Sequence, residues 1–249
     1  MRAKLGPVAL SCFLLTLPLV SACGGPAEED PAVQTRTVAA ETEWDWLKRS
    51  KQELDEKREE LSRAEILVRK NGGDPATAPA VQALARDVRA RTDELRRRLL
   101  QLINDNPPAA GEKPAGLTLE AVRMKSDEDI LVAREHVDEG GDYRMAIDIY
   151  EAALAVDPDN PRLQQELENA QARRYMTPER FAQVQEGMSA DEVRALLGPP
   201  NVNDIREYPE RGVTGWFYAK NAKGAAAAVW FEKQGNRQVV YELAFDALP

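Results

Sequence analysis

The chain has 249 residues, 43% of them hydrophobic and 30% charged, with a net charge of −9 and a mean hydropathy of −0.51. Phosphate contacts supply most nucleic-acid affinity, so this acidic balance argues against a nucleic-acid partner. The apolar fraction is low for one tightly packed globule of this length and fits exposed helices around modest cores.

Residues 1–22 read as an export signal. Arg2 and Lys4 supply the positive start, and Val8 to Val20 is an apolar run too short for a permanent membrane span. The run ends in Val20-Ser21-Ala22-Cys23, which resembles the lipobox of bacterial lipoproteins. The resemblance implies cleavage before Cys23 and a diacylglycerol on its thiol; the alternative is an ordinary secretion signal cut elsewhere. The chain's other cysteine, Cys12, lies inside the leader, so the mature chain cannot form an internal disulfide. Gly24 follows the lipobox in place of Asp, which by the same resemblance favours an outer-membrane anchor facing the periplasm. Residues 23–42, with Pro26 and Pro31, read as a flexible tether.

Residues 43–104 read as two helices. Leu47, Leu54, Leu61 and Val68 recur at intervals of seven, and so do Val81, Val88, Leu95 and Leu102, widened by Leu84 and Leu99. Asn71-Gly72-Gly73-Asp74-Pro75 separates them. The stripes fit an antiparallel hairpin within one chain, or a parallel coiled coil that would make a homo-oligomer. Trp44 and Trp46 stand where they could staple the hairpin's end or meet something else.

Residues 105–117 hold Pro107, Pro108, Gly111, Pro114 and Gly116 and read as a linker and domain boundary. Residues 118–176 follow as a helix pair. Asp127 to Asn160, 34 residues, resembles a single tetratricopeptide repeat, with Ala146, Tyr150, Ala153 and Pro158 at the family's spacing. Small Ala146 and Ala153 would let the helices approach, and Tyr150 would fill the gap. Arg134 departs from the Gly or Ala usual at its position, which puts tight packing of the first helix in question. A lone repeat cannot bury its own face, so Pro161 to Tyr175 is expected to cap it through Leu163, Leu167 and Ala170.

Residues 177–249 form the last unit. Thr177-Pro178 starts a helix containing Phe181 and Val184. Ser189 and Glu192 make a capping box, Val193, Leu196 and Leu197 give an apolar face, Gly198 reads as a left-handed C-terminal cap, and Pro199-Pro200 stops the helix. A polar loop then leads to strands at Val213–Lys220, Ala226–Lys233 and Gln238–Asp246, the last two joined by a turn at Gln234-Gly235-Asn236. Gly187, Met188, Ser189, Val193, Leu197, Gly198 and Pro200, followed by Trp216, Phe217 and Tyr218, resemble the SmpA/OmlA (BamE-like) module. The resemblance implies two short helices on a three-stranded antiparallel sheet and protein docking in the bacterial envelope, without catalysis. The fold class expected for the whole chain is therefore mainly α with a small α+β domain.

Alternation on the strands puts Trp216 and Tyr218 on one face and Phe217 on the other. With Phe217, Phe231 and the series Val239, Tyr241, Leu243, Phe245 beneath the helices, Trp216, Tyr218 and Trp230 would line an open, partner-binding face. A slip of one residue exchanges the faces, and those rings then become the core.

No catalytic set, cofactor or metal is expected. His136 is the only histidine and reads as a surface or groove side chain; with no free cysteine in the mature chain, the familiar His/Cys zinc sites are excluded. Gly72-Gly73 and Gly140-Gly141 are turn pairs, not phosphate loops. Paired carboxylates of a glycosidase type stay open, because acids are everywhere in the chain. The expected function is a lipid-anchored, non-catalytic docking scaffold for envelope proteins, in outer-membrane protein assembly or envelope integrity. The alternatives are an inhibitor-like binder of a periplasmic hydrolase and a cell-wall-modifying enzyme.

Overall fold

Helix α1 runs from Pro31 to Lys70 in the computed structural model, which describes the backbone at 31–110, 112–235 and 237–247 and the side chains from Thr37 onward. The signal, Cys23 and the first part of the tether lie outside the described residues. Residues 31–42, expected to belong to the tether, are helical instead. Pro31 has the role of a first helical residue, where its missing N–H costs nothing, and no Gly or Pro follows until Gly72. Contacts divide the chain after Val38, and Ala39–Pro249 is one compact unit.

A 3-10 turn at Pro75–Thr77 leads to α2, Pro79–Asp105. The Asp74 carboxylate starts the turn by accepting the Ala76 N–H at 2.9 Å. The two helices pair antiparallel within the chain. Glu43 meets Arg98 at 2.5 Å and Glu53 meets Arg91 at 3.5 Å, so residue numbers run in opposite directions along the pair. Between them Leu47, Leu54, Val88, Leu95 and Leu99 are buried together. Trp44 joins this core, and the Arg98 guanidinium stacks 3.6 Å from the centroid of Trp46, so the two tryptophans close the hairpin's end.

Helix α3, Gly116–Gly140, packs on the pair. The core continues from Leu99 and Ile103 into Ala121 and Val122, so the segment at 105–117 joins packed helices rather than separating packing units. Proline and glycine there stop one helix and start the next; they set a turn, and whether a turn is also a boundary depends on what packs across it. Glu128 and Asp129 of α3 are also buried, at 0% and 2% exposure. Lys51 and Arg58 of α1 pair with Glu128 at 3.1 and 2.7 Å, and Arg96 of α2 pairs with Asp129 at 2.7 Å.

Gly141, with φ 61°, closes α3, and the Asp142 side chain starts α4, Tyr143–Val156, by accepting the Met145 N–H at 3.0 Å. Asn160 caps α5, Pro161–Arg174, in the same way. Ala146, Tyr150 and Ala153 of α4 pack on Ile130 and Ala133 of α3 and on Leu163 and Ala170 of α5. Arg134 does not obstruct this packing. Ala133 takes the interior position, while Arg134 points outward and pairs with Glu166.

The C-terminal part begins with α6, Pro178–Phe181, a single turn that stops before Val184, although Val184 is still buried. Next comes α7, Ala190–Leu197, whose capping box is complete: Ser189 accepts the Glu192 N–H, and Glu192 accepts the Ser189 N–H at 2.7 Å. The sheet has four strands, not three: β1 Ile205–Tyr208, β2 Val213–Ala219, β3 Ala226–Gln234 and β4 Arg237–Ala247, antiparallel and in chain order. Strand β1 fell within the expected polar loop. Its middle residues Arg206 and Glu207 are exposed, so it shows no apolar alternation and is defined only by pairing with β2.

Strand β4 departs from simple alternation at two register shifts against β3. Phe231 faces Val240 while Trp230 faces Glu242, which leaves Tyr241 as an extra residue. The bulge changes the phase. Val240, Leu243 and Phe245 turn toward the helices, and Tyr241, expected among them, is 37% exposed. Part of the outer edge of β4 is covered, because Gly187 donates to the Val240 carbonyl and Val240 donates to that of Met188, both at 2.8 Å.

Candidate functional site

The pairing of β2 with β3 decides which aromatic rings can meet a partner. Trp216 lies opposite Val229, Thr214 opposite Phe231, and Gly215 opposite Trp230. Trp216 and Tyr218 therefore share a face with Phe231, beneath the helices. They are only 5% and 7% exposed and belong to one core with Phe181, Val193 and Leu197. Trp216 packs on Phe231 with ring centroids 4.5 Å apart, and the Arg194 guanidinium of α7 lies 5.6 Å from the Trp216 ring centroid. The Tyr218 hydroxyl donates to the Gly198 carbonyl at 3.1 Å, and burial pushes its pKa far up. The open-face assignment is thus reversed for Trp216 and Tyr218. Opposed positions in antiparallel strands share a face, and this register sets both rings beside Phe231.

Trp230 does lie on the other face, half-buried, where it packs against Phe217, itself only 8% exposed. Their rings meet edge to face at 5.4 Å, and Tyr208 of β1 stands 5.6 Å from Trp230 on the other side. Gly215 makes room for this row. A Cβ there would come within 2.8 Å of the Trp230 ring. The face is thus a short row of Tyr208, Trp230 and Phe217 over small Ala226 and Ala228. Sequence reasoning selected Trp230 but missed Tyr208 and Phe217, because Tyr208 lies on the unrecognised strand and Phe217 depends on register.

A second feature lies where the helices meet the sheet. The turn between α3 and α4 abuts the end of α7: a Cβ on Gly141 would lie 2.2 Å from the Pro200 carbonyl oxygen, and one on Gly198 would lie 2.5 Å from the Tyr143 hydroxyl. Met176 donates to the Ala219 carbonyl at 2.8 Å, joining the segment after α5 to the end of β2. Beside this joint is a cleft of about 380 Å³ walled by Tyr143, Arg144, Arg173, Arg174 and Phe217. Arg180 sits behind it, its guanidinium donating to the carbonyls of Arg173, Tyr175 and Leu197. Burial pushes the Tyr143 phenol above its usual range, and the charges of Arg173 and Arg180 offset part of that. Asp142-Tyr143 was visible as a turn in the sequence; its closeness to Gly198 and Pro200 was not.

His136 is exposed on α3. Among the described residues there is no cluster of three or more His, Cys, Asp or Glu placed to hold a metal, and no helix long and apolar enough to cross a membrane. No family model, curated protein or solved structure matches this chain.

Proposed function

We propose that the protein is a bacterial envelope lipoprotein, anchored in the outer membrane through Cys23 and facing the periplasm, that acts as a non-catalytic docking scaffold for envelope proteins. The observation that carries the reading is the Val20-Ser21-Ala22-Cys23 motif after its basic and apolar leader. Further support comes from what the SmpA/OmlA-like positions do. Gly187, at φ 90°, hydrogen-bonds β4; Ser189 caps α7; Gly198 and Pro200 receive the α3–α4 turn. These are positions where the backbone itself needs the residue. The helix pair α3–α4, capped by α5, supports a tetratricopeptide-like unit. The docking surface is the half-buried pair Tyr208 and Trp230, backed by the buried ring of Phe217, since aromatic residues are enriched at protein interfaces.

Metabolic labelling with a fatty acid tests the anchor. The wild-type chain takes up label and Cys23→Ala does not; label retained by the variant overturns the reading. A single acyl chain anchors only marginally, so stable attachment needs more than one, as bacterial lipoproteins carry. Affinity isolation of the native protein from detergent extract, followed by mass spectrometry, then identifies the partner. A second reading, an inhibitor-like binder that covers a periplasmic hydrolase with its sheet, is favoured by the same aromatic row. It predicts capture of a soluble enzyme whose activity falls on binding.

A further inference from the structure

One line of opposed residues crosses the whole sheet. Arg206 of β1 lies opposite Gly215 of β2, Gly215 opposite Trp230 of β3, and Trp230 opposite Glu242 of β4. Opposed positions in antiparallel strands share a face, so all four stand on the side away from the helices. Strands lie about 4.8 Å apart, which sets the backbone of the exposed Arg206 about 14 Å from that of the exposed Glu242, with the half-buried Trp230 between them.

The neighbouring line on this face holds Tyr208, Val213, Glu232 and Val239. Tyr208, Val213 and Val239 are half-buried, and Glu232 accepts a hydrogen bond from the Gln234 side chain of its own strand at 2.8 Å. On the other side of Trp230 stand Ala228 and, opposite it, Ala244. With Gly215 these small residues keep the face shallow around the Trp230 ring, so a second sheet can approach to the usual spacing of about 10 Å. The first line ends in a cation on one edge strand and an anion on the other. A face with that arrangement is complementary to itself.

We infer that this face binds a second copy of the chain, sheet to sheet, about a twofold axis that runs parallel to the strands between β2 and β3. That axis lays β1 of each copy over β4 of the other, and β2 over β3. Arg206 of one copy then meets Glu242 of the other, and by symmetry the pair occurs twice. Tyr208 lies against Val239 of the other copy, and the two Trp230 rings lie side by side at the centre. Guanidinium and carboxylate match in geometry, so both ends of the line are held by charge-assisted hydrogen bonds. A twofold axis perpendicular to the strands would instead set Arg206 on Arg206 and Glu242 on Glu242, which like charge opposes. The inference rests on the reading of Tyr208 and Trp230 as a docking surface and names its occupant.

The test is sedimentation equilibrium of the purified full chain in density-matched detergent. The wild type is expected to dimerise with a Kd of about 10 μM or below. Arg206→Glu and Glu242→Arg should each weaken the dimer about tenfold or more, because symmetry turns both of its charge contacts repulsive. Mixing the two single variants makes both contacts attractive again, so a heterodimer of near wild-type strength should form. The double variant that carries both changes should likewise form a homodimer. Both side chains are exposed, so the variants are expected to keep the wild-type circular dichroism spectrum. A wild type that stays monomeric at about 100 μM, single variants that dimerise as tightly as the wild type, or a mixture that stays monomeric overturns the proposal. If the chain is monomeric while Trp230→Ala still weakens capture of a different envelope protein, the self-docking falls and the docking reading stands. If the chain is monomeric and Trp230→Ala leaves capture unchanged, the docking surface itself falls.

Discussion

Arg58 of α1 donates to both carboxylate oxygens of Glu128 of α3, at 3.2 and 2.7 Å, across 70 residues of sequence. Glu128 is fully buried, and Arg58 also donates to the Thr92 hydroxyl of α2 at 3.1 Å. One guanidinium thus ties three helices together. A buried charge pair is weak evidence of net stability, because desolvation offsets much of the attraction, but it penalises any arrangement that separates the partners. The pair therefore selects how α3 sits on the hairpin.

Removing one partner leaves the other with only part of its counter-charge, since Arg58 keeps Asp55 at 3.3 Å and Glu128 keeps Lys51 at 3.1 Å. Glu128→Ala should destabilise the protein by about 3 kcal/mol, and Arg58→Met combined with Glu128→Leu should recover most of that loss. Urea unfolding with an unchanged m-value measures both. A double variant no more stable than Glu128→Ala would show that the pair's hydrogen bonds, rather than its charges, hold the helices.

Gly198 has φ 83° and ψ 173°, a positive-φ conformation outside the left-handed helical cap expected of it and open in practice only to glycine. The Tyr143 hydroxyl occupies the space a Cβ would need. Gly198→Val should cost about 2 kcal/mol or more. Combining it with Tyr143→Phe, which removes the close oxygen, should recover part of the loss. An unchanged melting temperature for the single variant would contradict this geometry.

The two faces of the sheet make opposite predictions. Trp216→Ala removes a core ring and should lower stability by about 3 kcal/mol or more. Trp230→Ala should cost less stability and instead weaken partner capture by about 2 kcal/mol. Circular dichroism melting and pull-down on the same preparations separate them. Equal losses of stability would place Trp230 in the core as well.

Burial beside Glu166 pushes the Tyr150 phenol up to about 12, from the ordinary value of 10.0. The folded state therefore holds this proton more tightly than the unfolded state. The resulting stability is fully present below pH 10.0 and is lost as pH rises toward about 12. Melting temperature measured across that window should fall more steeply for the wild type than for Tyr150→Phe. Parallel curves would show that Tyr150 ionises normally.

Local signals were legible in the sequence wherever a single segment contains its own cause. The capping box at Ser189 and Glu192, the breaker from Asn71 to Pro75, the seven-residue stripes of α1 and α2, and strands β2 to β4 each depend on residues within a few positions of one another. Other features depend on distant partners. Strand β1 forms because β2 lies beside it. The face of Trp216 follows from its register with Val229, and the bulge at Tyr241 shifts the phase of β4. Glu128 and Asp129 look like surface acids in the sequence until α1 and α2 bring Arg58, Lys51 and Arg96 to them. The linker at 105–117 reads as a boundary because proline and glycine report only where a helix stops. Packing across the stop is a matter of tertiary structure, since burial and charge pairing are properties of what comes together in space and not of neighbours along the chain.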